Sequence, residues 1–79
     1  MKTPRDLNGE TLAQHLSRAW AYARIHQTGS HIVLQTKEPT PHRISIPAHK
    51  PLKTGTLHKI LTDVAGHKAV SREEILRGL

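Results

Sequence analysis

A histidine follows a glycine-serine pair directly before a short apolar run, in the order Gly29, Ser30, His31 and then residues 32–34. Glycine accepts the positive φ that a tight turn requires, so the pattern predicts a hairpin turn that places His31 at the start of a strand. Histidine can act as a general acid or a general base near neutral pH, because its ordinary pKa is about 6.5. We therefore take His31 as the candidate catalytic residue, although a single histidine is more often a surface or structural residue.

The charge of the chain indicates the kind of molecule on which such a histidine would act. Among 79 residues, 12 Lys and Arg stand against 6 Asp and Glu, which gives a net charge of +6 with histidine neutral. This excess attracts phosphate polymers, acidic proteins or anionic membrane surfaces. The length predicts a single domain over residues 1–79.

The composition also excludes several kinds of site. The absence of cysteine rules out disulfides, thiol catalysis and cysteine ligation of zinc. The 7 histidines show no His-x3-His or His-Glu-x2-His pattern, so we expect no metal site and no cofactor. No apolar run approaches the roughly 18 residues of a membrane span, and residues 1–4 lead into polar sequence. We expect a cytoplasmic protein without a membrane partner.

Two stretches have the apolar spacing of amphipathic helices. Apolar residues recur at helical spacing from Leu12 and predict a first helix over residues 9–19, capped by Asn8. A second pattern fits the i, i+3, i+4, i+7, i+8 template at every position, and we expect this helix to begin near Thr54 and to end at Gly66. Its apolar members are Leu57, Ile60, Leu61, Val64 and Ala65.

The two ends of the chain have different patterns. Residues 1–7 are mostly polar and include a proline, so we expect a loose lead-in. Near the other end, Ser71 and Glu74 have the Ser-x-x-Glu spacing of a capping box, which predicts a short third helix.

Alternating residues between the first two helices predict three strands. Residues 20–28 predict a half-buried first strand that ends at Gly29, with Arg24 and His26 sharing its outer face. In the second strand, Ile32 and Leu34 share the face toward the helices, which puts His31 on the solvent side.

The third strand is predicted over residues 42–46, with Arg43 facing outward. The predicted order is therefore α-β-β-β-α with an added C-terminal helix. Three short antiparallel strands with the helices on one face make a two-layer α+β sandwich, whose second sheet face stays open. An open sheet face in a basic protein is a surface for binding.

Three segments, in this order along the chain, resemble those of the HicA-type mRNA interferase toxins, small proteins of bacterial toxin-antitoxin pairs. They are Gly29-Ser30-His31 opening a strand, Ile46-Pro47-Ala48-His49 ending one, and Leu52-Lys53-Thr54-Gly55-Thr56-Leu57 starting the second helix. The resemblance covers residues 12–65. It departs from the family at Ala19, where a glycine is usual, and at the proline-containing residues 37–41, which replace a short hairpin.

The resemblance implies a fold like that of double-stranded-RNA-binding domains, cleavage of mRNA, and a catalytic histidine at the position of His31. It also implies an antitoxin of the HicB type as partner, with which the chain can form an oligomer. RNA cleavage without a metal needs a base, an acid and cations near the phosphate. We expect substrate to be bound by Gly29, Ser30, Arg24, Arg43, His49, Lys50, Lys53 and Thr56.

Two other functions fit the same sequence. The fold can hold duplex RNA through its backbone and 2′-hydroxyl groups without cleaving it. The positive surface can also serve an acidic protein partner, and clustered lysines are often only a solvated face. His49 can supply a second acid or base, or bond only to the backbone of its own loop.

Overall fold

The computed structural model describes residues 7–79 as three helices and one antiparallel sheet. Along the chain the elements are α1 (Gly9–Ala19), β1 (Ala23–Thr28), β2 (His31–Thr36), β3 (His42–Pro47), α2 (Thr54–Lys68) and α3 (Arg72–Leu76). The strands lie in the order β1-β2-β3, so β1 and β3 are the edge strands. The predicted α+β sandwich, with its α-β-β-β-α order and added C-terminal helix, is confirmed.

The core lies between the helices and the inner face of the sheet. Because side chains alternate along a strand, β2 and β3 each bury every second residue against the helices. The largest fully buried side chains are Tyr22, Leu12, Leu16, Ile32, Leu34, Ile46, Leu57, Leu61, Ile75, Val64 and Thr36. Such a core of mainly aliphatic side chains agrees with a composition of one Trp, one Tyr and no Phe.

The expected loose lead-in is wrong at Leu7, and its residues 1–6 lie outside the described part of the chain. Leu7 is buried in the core, and its carbonyl accepts a hydrogen bond of 2.9 Å from the Leu52 amide. Burial of an aliphatic side chain contributes roughly 1.5–3 kcal/mol in a small domain. The segment before α1 is therefore tied to the segment before α2.

Both predicted ends of α1 and the predicted start of α2 at Thr54 are correct, although the Asn8 side chain makes no capping hydrogen bond. The predicted end of α2 is wrong, because the helix continues through Gly66 to Lys68, and Ala69 ends it in a left-handed conformation with φ of 58°. Glycine favours a helix end only through its backbone freedom, and here tertiary contacts of His67 and Lys68 hold these two further residues in place. The capping box before α3 is confirmed, since the Ser71 hydroxyl accepts from the Glu74 amide at 3.2 Å.

The first strand departs from its predicted half-buried pattern, because every residue of β1 is exposed. An irregularity between Arg24 and His26 shifts the register, so that Arg24 pairs with Leu34 but His26 pairs with Val33. Since Leu34 is buried and Val33 is on the opposite face, Arg24 lies on the helix side and His26 on the outer side. The two side chains do not share a face, as the uninterrupted alternation had predicted.

Gly9, the first residue of α1, lies so close to the end of β3 that a side chain would not fit at this position. The Gly9 amide donates a hydrogen bond of 3.1 Å to the His49 carbonyl. A Cβ atom placed on Gly9 would lie 1.9 Å from the Pro47 carbonyl oxygen, which belongs to the backbone and cannot rotate away. The glycine therefore permits α1 to pack directly against the segment that follows β3.

We predict that Gly9→Ala lowers the free energy of unfolding by about 1–3 kcal/mol, because the helix must move away from Pro47. Gly66→Ala is the matched control. Its Cβ would meet no other atom of the described residues within 4 Å, and alanine favours a helix interior by about 0.5–1 kcal/mol. Urea unfolding followed by circular dichroism measures both. Equal stability of the two variants would contradict the close contact.

Candidate functional site

His31 stands at the tip of the hairpin between β1 and β2, where the sequence places it. The turn consists of Gly29 and Ser30, with Gly29 at a φ of 54° that glycine readily adopts. The Ser30 carbonyl accepts a hydrogen bond of 2.6 Å from the Ala48 amide, which ties the turn to the end of β3. His31 itself is exposed, so a polymer in solution can reach its imidazole.

A groove of about 480 Å³ runs between β3 and α2, and His31 is part of its lining. The volume lies within the usual range for small-molecule sites. Its apolar floor includes Ile44 and Ile60, while polar side chains come from both layers of the fold. The polar lining includes His31, His42, Arg43, Ser45, Thr56, Lys59 and Asp63.

Cationic side chains occupy both walls of the groove. On the sheet side, Arg43 donates from Nε and Nη2 to Oε1 of Gln35, at 3.3 and 3.1 Å. Gln35 is the residue paired with Arg43 across β2 and β3, so the guanidinium is oriented by its own sheet. On the helix side, Lys59 is exposed to solvent. Two positive charges along one groove form an environment for the phosphates of a polyanion.

Only part of the predicted substrate site lies at this groove. His31, Arg43 and Thr56 line it, and the Gly29–Ser30 turn adjoins it through His31. Thr56 lies in the first turn of α2, as expected from the sequence. His31 and Thr56 come together because the end of β3, the start of β2 and the start of α2 meet at one corner of the sandwich, whereas Arg43 lies at the start of β3, opposite Gln35.

Arg24 lies away from the groove, on the helix side of the sheet. Its guanidinium forms an ion pair with Glu10 of α1, in which the two side chains are 37% and 41% exposed. The hydrogen bond from Arg24 lowers the pKa of Glu10, and the charge of Lys50 acts in the same direction. The register shift in β1 is the physical reason that Arg24 meets α1 instead of the outer face.

The loop before α2 also faces α1 more than it faces the groove. His49, Lys50 and Lys53 are exposed and lie outside the groove lining. The His49 carbonyl holds the Gly9 amide, and the charge of Lys50 acts on Glu10. The binding roles of these three residues remain predictions, and none of the three lines the groove.

The groove wall also contains Lys59 and Asp63, which were not among the residues predicted for the site. Thr56, Lys59 and Asp63 are related by steps of three and four residues, which places them on one side of a helix. That spacing was visible in the sequence. What it did not reveal is that this side of α2 lies along β3.

A polar cluster closes the end of the groove that is farthest along β3 from His31. The Tyr22 hydroxyl and Nδ1 of His42 are 2.9 Å apart. The His42 and His67 rings are stacked, with centroids 4.3 Å apart and planes inclined by 16°. Tyr22 meets the His42 ring edge-on. Three rings from β3, α2 and the residue before β1 are thus packed together.

The same cluster fastens the last turn of α2 to the connection between β2 and β3. Lys68 donates to the Thr36 hydroxyl at 2.9 Å and to the Glu38 carbonyl at 2.7 Å. Nε2 of His67 lies 2.9 Å from the Thr40 carbonyl oxygen. The Lys68 ammonium also lies 5.0 Å from the centre of the Tyr22 ring, which is within cation–π range.

The environment of the cluster shifts two pKa values. Burial, assisted by the negative charge of Asp63, raises the pKa of Tyr22 to about 12, so its hydroxyl remains protonated. Burial and the neighbouring charges of His67 and Lys68 lower the pKa of His42, although Asp63 acts in the opposite direction. A neutral His42 ring can accept a hydrogen bond from the Tyr22 hydroxyl at Nδ1 while it carries its own proton on Nε2.

Two further observations concern metals and membranes. Residues 7–79 contain no group of three or more His, Asp or Glu side chains arranged to hold a metal ion. Within the same residues, none of the helices has the length and apolar character needed to cross a bilayer.

Comparisons with known proteins add no assignment. The chain matches no protein-family model, no curated protein and no solved structure.

We predict that the free energy of unfolding decreases as the pH falls from about 7 to 5, and that His42 causes part of this loss. The folded chain holds the pKa of His42 below its usual value, so the unfolded chain binds a proton first and is favoured by acid. At pH values above the ordinary histidine pKa, the full contribution of His42 to the free energy of unfolding is present.

The check is urea unfolding at several pH values for the intact chain and for His42→Asn. Asparagine can still accept from Tyr22 but does not titrate. We expect a shallower pH dependence in the variant. An unchanged slope would show that His42 does not contribute to the pH dependence of stability.

Proposed function

We propose that this chain is the toxin of a type II toxin-antitoxin pair and that it cleaves mRNA in the cytoplasm. The observation that carries the proposal is the position of His31, which is exposed at the end of a groove with cationic side chains on both walls. A net charge of +6 favours an RNA substrate over a neutral one.

The resemblance to HicA-type toxins gains support from this arrangement. Each of its three segments contributes a residue to the groove lining, namely His31, Pro47 and Thr56. The segments are separated along the chain, so their meeting at one groove is a property of the fold. On the resemblance alone, we further propose that an antitoxin of the HicB type binds the chain and blocks cleavage.

His31 supplies the base in the proposed reaction. Its neutral imidazole takes the proton of a ribose 2′-hydroxyl, and the 2′-oxygen attacks the adjacent phosphorus. The bond from phosphorus to the 5′-oxygen then breaks, leaving a 2′,3′-cyclic phosphate and a 5′-hydroxyl. The leaving oxygen receives its proton from water, and the imidazolium of His31 returns its proton to the resulting hydroxide, which restores the neutral base. No metal ion takes part in these steps.

Lys59, on the α2 wall of the groove, stabilises the negative charge that accumulates on the phosphate during attack. Arg43 contacts a different phosphate of the substrate, because it is paired with Gln35, four strand positions and about 13 Å from His31. Gln35 holds the Arg43 guanidinium before substrate binds, so this contact requires little ordering of the side chain.

We predict that His31→Ala reduces RNA cleavage by roughly a hundredfold to ten-thousandfold, the usual contribution of a positioned acid or base. RNA binding and the circular dichroism spectrum should not change, because His31 is exposed. The matched control is His26→Ala, an exposed histidine on the same sheet that lies outside the groove lining. Cleavage of a defined mRNA and growth after induction are the two readouts.

Three results would count against this proposal. If the folded intact chain binds RNA and never cuts it, the chain is a binding module. If it neither binds RNA nor arrests growth, the basic surface serves a different partner. If His31→Ala cuts as fast as the intact chain, the base is another residue.

We predict that Lys59→Ala weakens RNA binding and Lys53→Ala does not, although the sequence favours Lys53. Lys59 lines the groove, and Lys53 is exposed outside it. The two variants have the same net charge, so only position separates them. For single-stranded RNA, loss of one phosphate contact should reduce the slope of log K against log salt by about 0.7.

Fluorescence anisotropy with a non-cleavable oligonucleotide, at several salt concentrations, measures that slope. A larger loss with Lys53→Ala than with Lys59→Ala would move the binding site from the groove to the loop before α2.

A further inference from the structure

The stacked imidazoles of His42 and His67 form a flat aromatic surface at one end of the groove. Their planes are within 16° of parallel, and the centroids are 4.3 Å apart. Stacking of this kind is also how proteins hold unpaired bases, which lie against Phe, Tyr, Trp or His side chains. The geometry that joins these two rings is therefore one that a third ring can extend.

Both rings are fixed before any ligand binds. His42 is held by the contact of its Nδ1 with the Tyr22 hydroxyl at 2.9 Å, and His67 by the contact of its Nε2 with the Thr40 carbonyl at 2.9 Å. A ligand that stacks on a fixed ring does not have to restrict the rotamers of a free side chain. Burial and the neighbouring cations also lower the pKa of His42, which keeps this ring uncharged near neutral pH.

The stack stands at a fixed distance from the proposed reaction centre. His42 begins β3 and Pro47 ends it, and His31 is paired with Pro47. Five residue steps along a strand span about 16 Å. His42 lines the groove and His67 lies outside the lining, so a ligand in the groove meets His42, with His67 packed against it.

Positive charge lies between the two ends, with one carboxylate, that of Asp63, near the His42 end. Arg43 follows His42 on β3, and Lys59 is on the facing wall of α2. A strand whose phosphates contact these cations can place one base beyond them, toward His42. In a duplex each internal base is covered on both faces by its neighbours, so only an unpaired base has a face available for this ring.

We propose that His42, backed by His67, is a stacking platform for an unpaired base of a single-stranded RNA that lies along β3 with its reacting phosphate at His31. This inference rests on the proposed function and names its substrate as single-stranded RNA. The base at the platform is separated from the cleaved bond by the length of β3, and the cations of the groove hold the backbone between them.

Two substitutions separate the platform from a purely structural role of His42. His42→Phe keeps an aromatic face but loses the hydrogen bond to Tyr22, whereas His42→Asn keeps an acceptor for Tyr22 but has no ring. If His42 is a platform, His42→Phe should bind RNA nearly as well as the intact chain does, and His42→Asn should bind RNA more weakly. A structural role predicts the opposite order, which unfolding curves of the two variants would show independently.

The probe is a short 2′-fluoro RNA, which the proposed reaction cannot cleave because it lacks the attacking hydroxyl. A single abasic nucleotide is moved along this probe one position at a time, and the dissociation constant is measured by anisotropy. For the intact chain and His42→Phe, we expect one position to weaken binding by roughly five- to a hundredfold. His42→Asn should already bind weakly and should be insensitive to the abasic position.

Several results would overturn the platform. If His42→Asn binds as tightly as the intact chain, or if no abasic position matters, while His31-dependent cleavage persists, the platform fails and the proposed function stands without it. A blunt-ended two-strand duplex, which has no unpaired base, has the same meaning if it binds as tightly as the single strand. If the chain neither binds nor cuts any RNA, both proposals fail. If oligoglutamate displaces the probe, and if His42→Asn also weakens the binding of oligoglutamate, the groove binds an acidic protein partner instead of RNA.

Discussion

Burial of one face of a three-stranded sheet beneath the helices is the constraint on which the rest of the molecule depends. In a chain of 79 residues the inner face must exclude water almost completely, and Ile32, Leu34 and Ile46 are fully buried there. Because side chains alternate, a fixed inner face also fixes the outer one. His31 and Arg43 therefore face outward as a consequence of core packing.

A second interaction decides where α2 lies. Its last turn is held to the connection between β2 and β3 by His67 and Lys68, and this holds the helix beside β3. The groove exists because those contacts fix one wall relative to the other. The histidine stack thus joins two roles, since the rings that anchor the helix also close the end of the groove. These polar contacts at the edge of the core leave a groove that has a defined shape and charged walls.

The positive charge of the chain is divided between different surfaces, which its total does not reveal. Arg24 is neutralised by Glu10 on the helix side, and Lys50 lies close enough to affect the same carboxylate. Arg43 and Lys59 remain at the groove. The surface that is suited to phosphate therefore depends on the acidic neighbours of each cation, and the net charge only sets the long-range attraction.

Local patterns determined most of the fold and the position of the histidine. The bounds of α1, the alternation of β2 and β3, and the turn before His31 follow from periodicity and from glycine, which act over a few residues. Other features depended on contacts between distant residues. The register shift that turns Arg24 inward, the extension of α2 past Gly66 and the burial of Leu7 are of this kind.

The sequence by itself determined which chemistry is available, because residue types and short spacings are properties of the chain. It identified His31 and Arg43, and the spacing of Lys59 from Thr56 was present though unused. Only the tertiary structure decided which of these residues share a groove, since α2 comes beside β3 through contacts between residues about thirty positions apart. Contacts between residues so far apart in the sequence leave no local pattern, and for that reason only part of the site could be predicted.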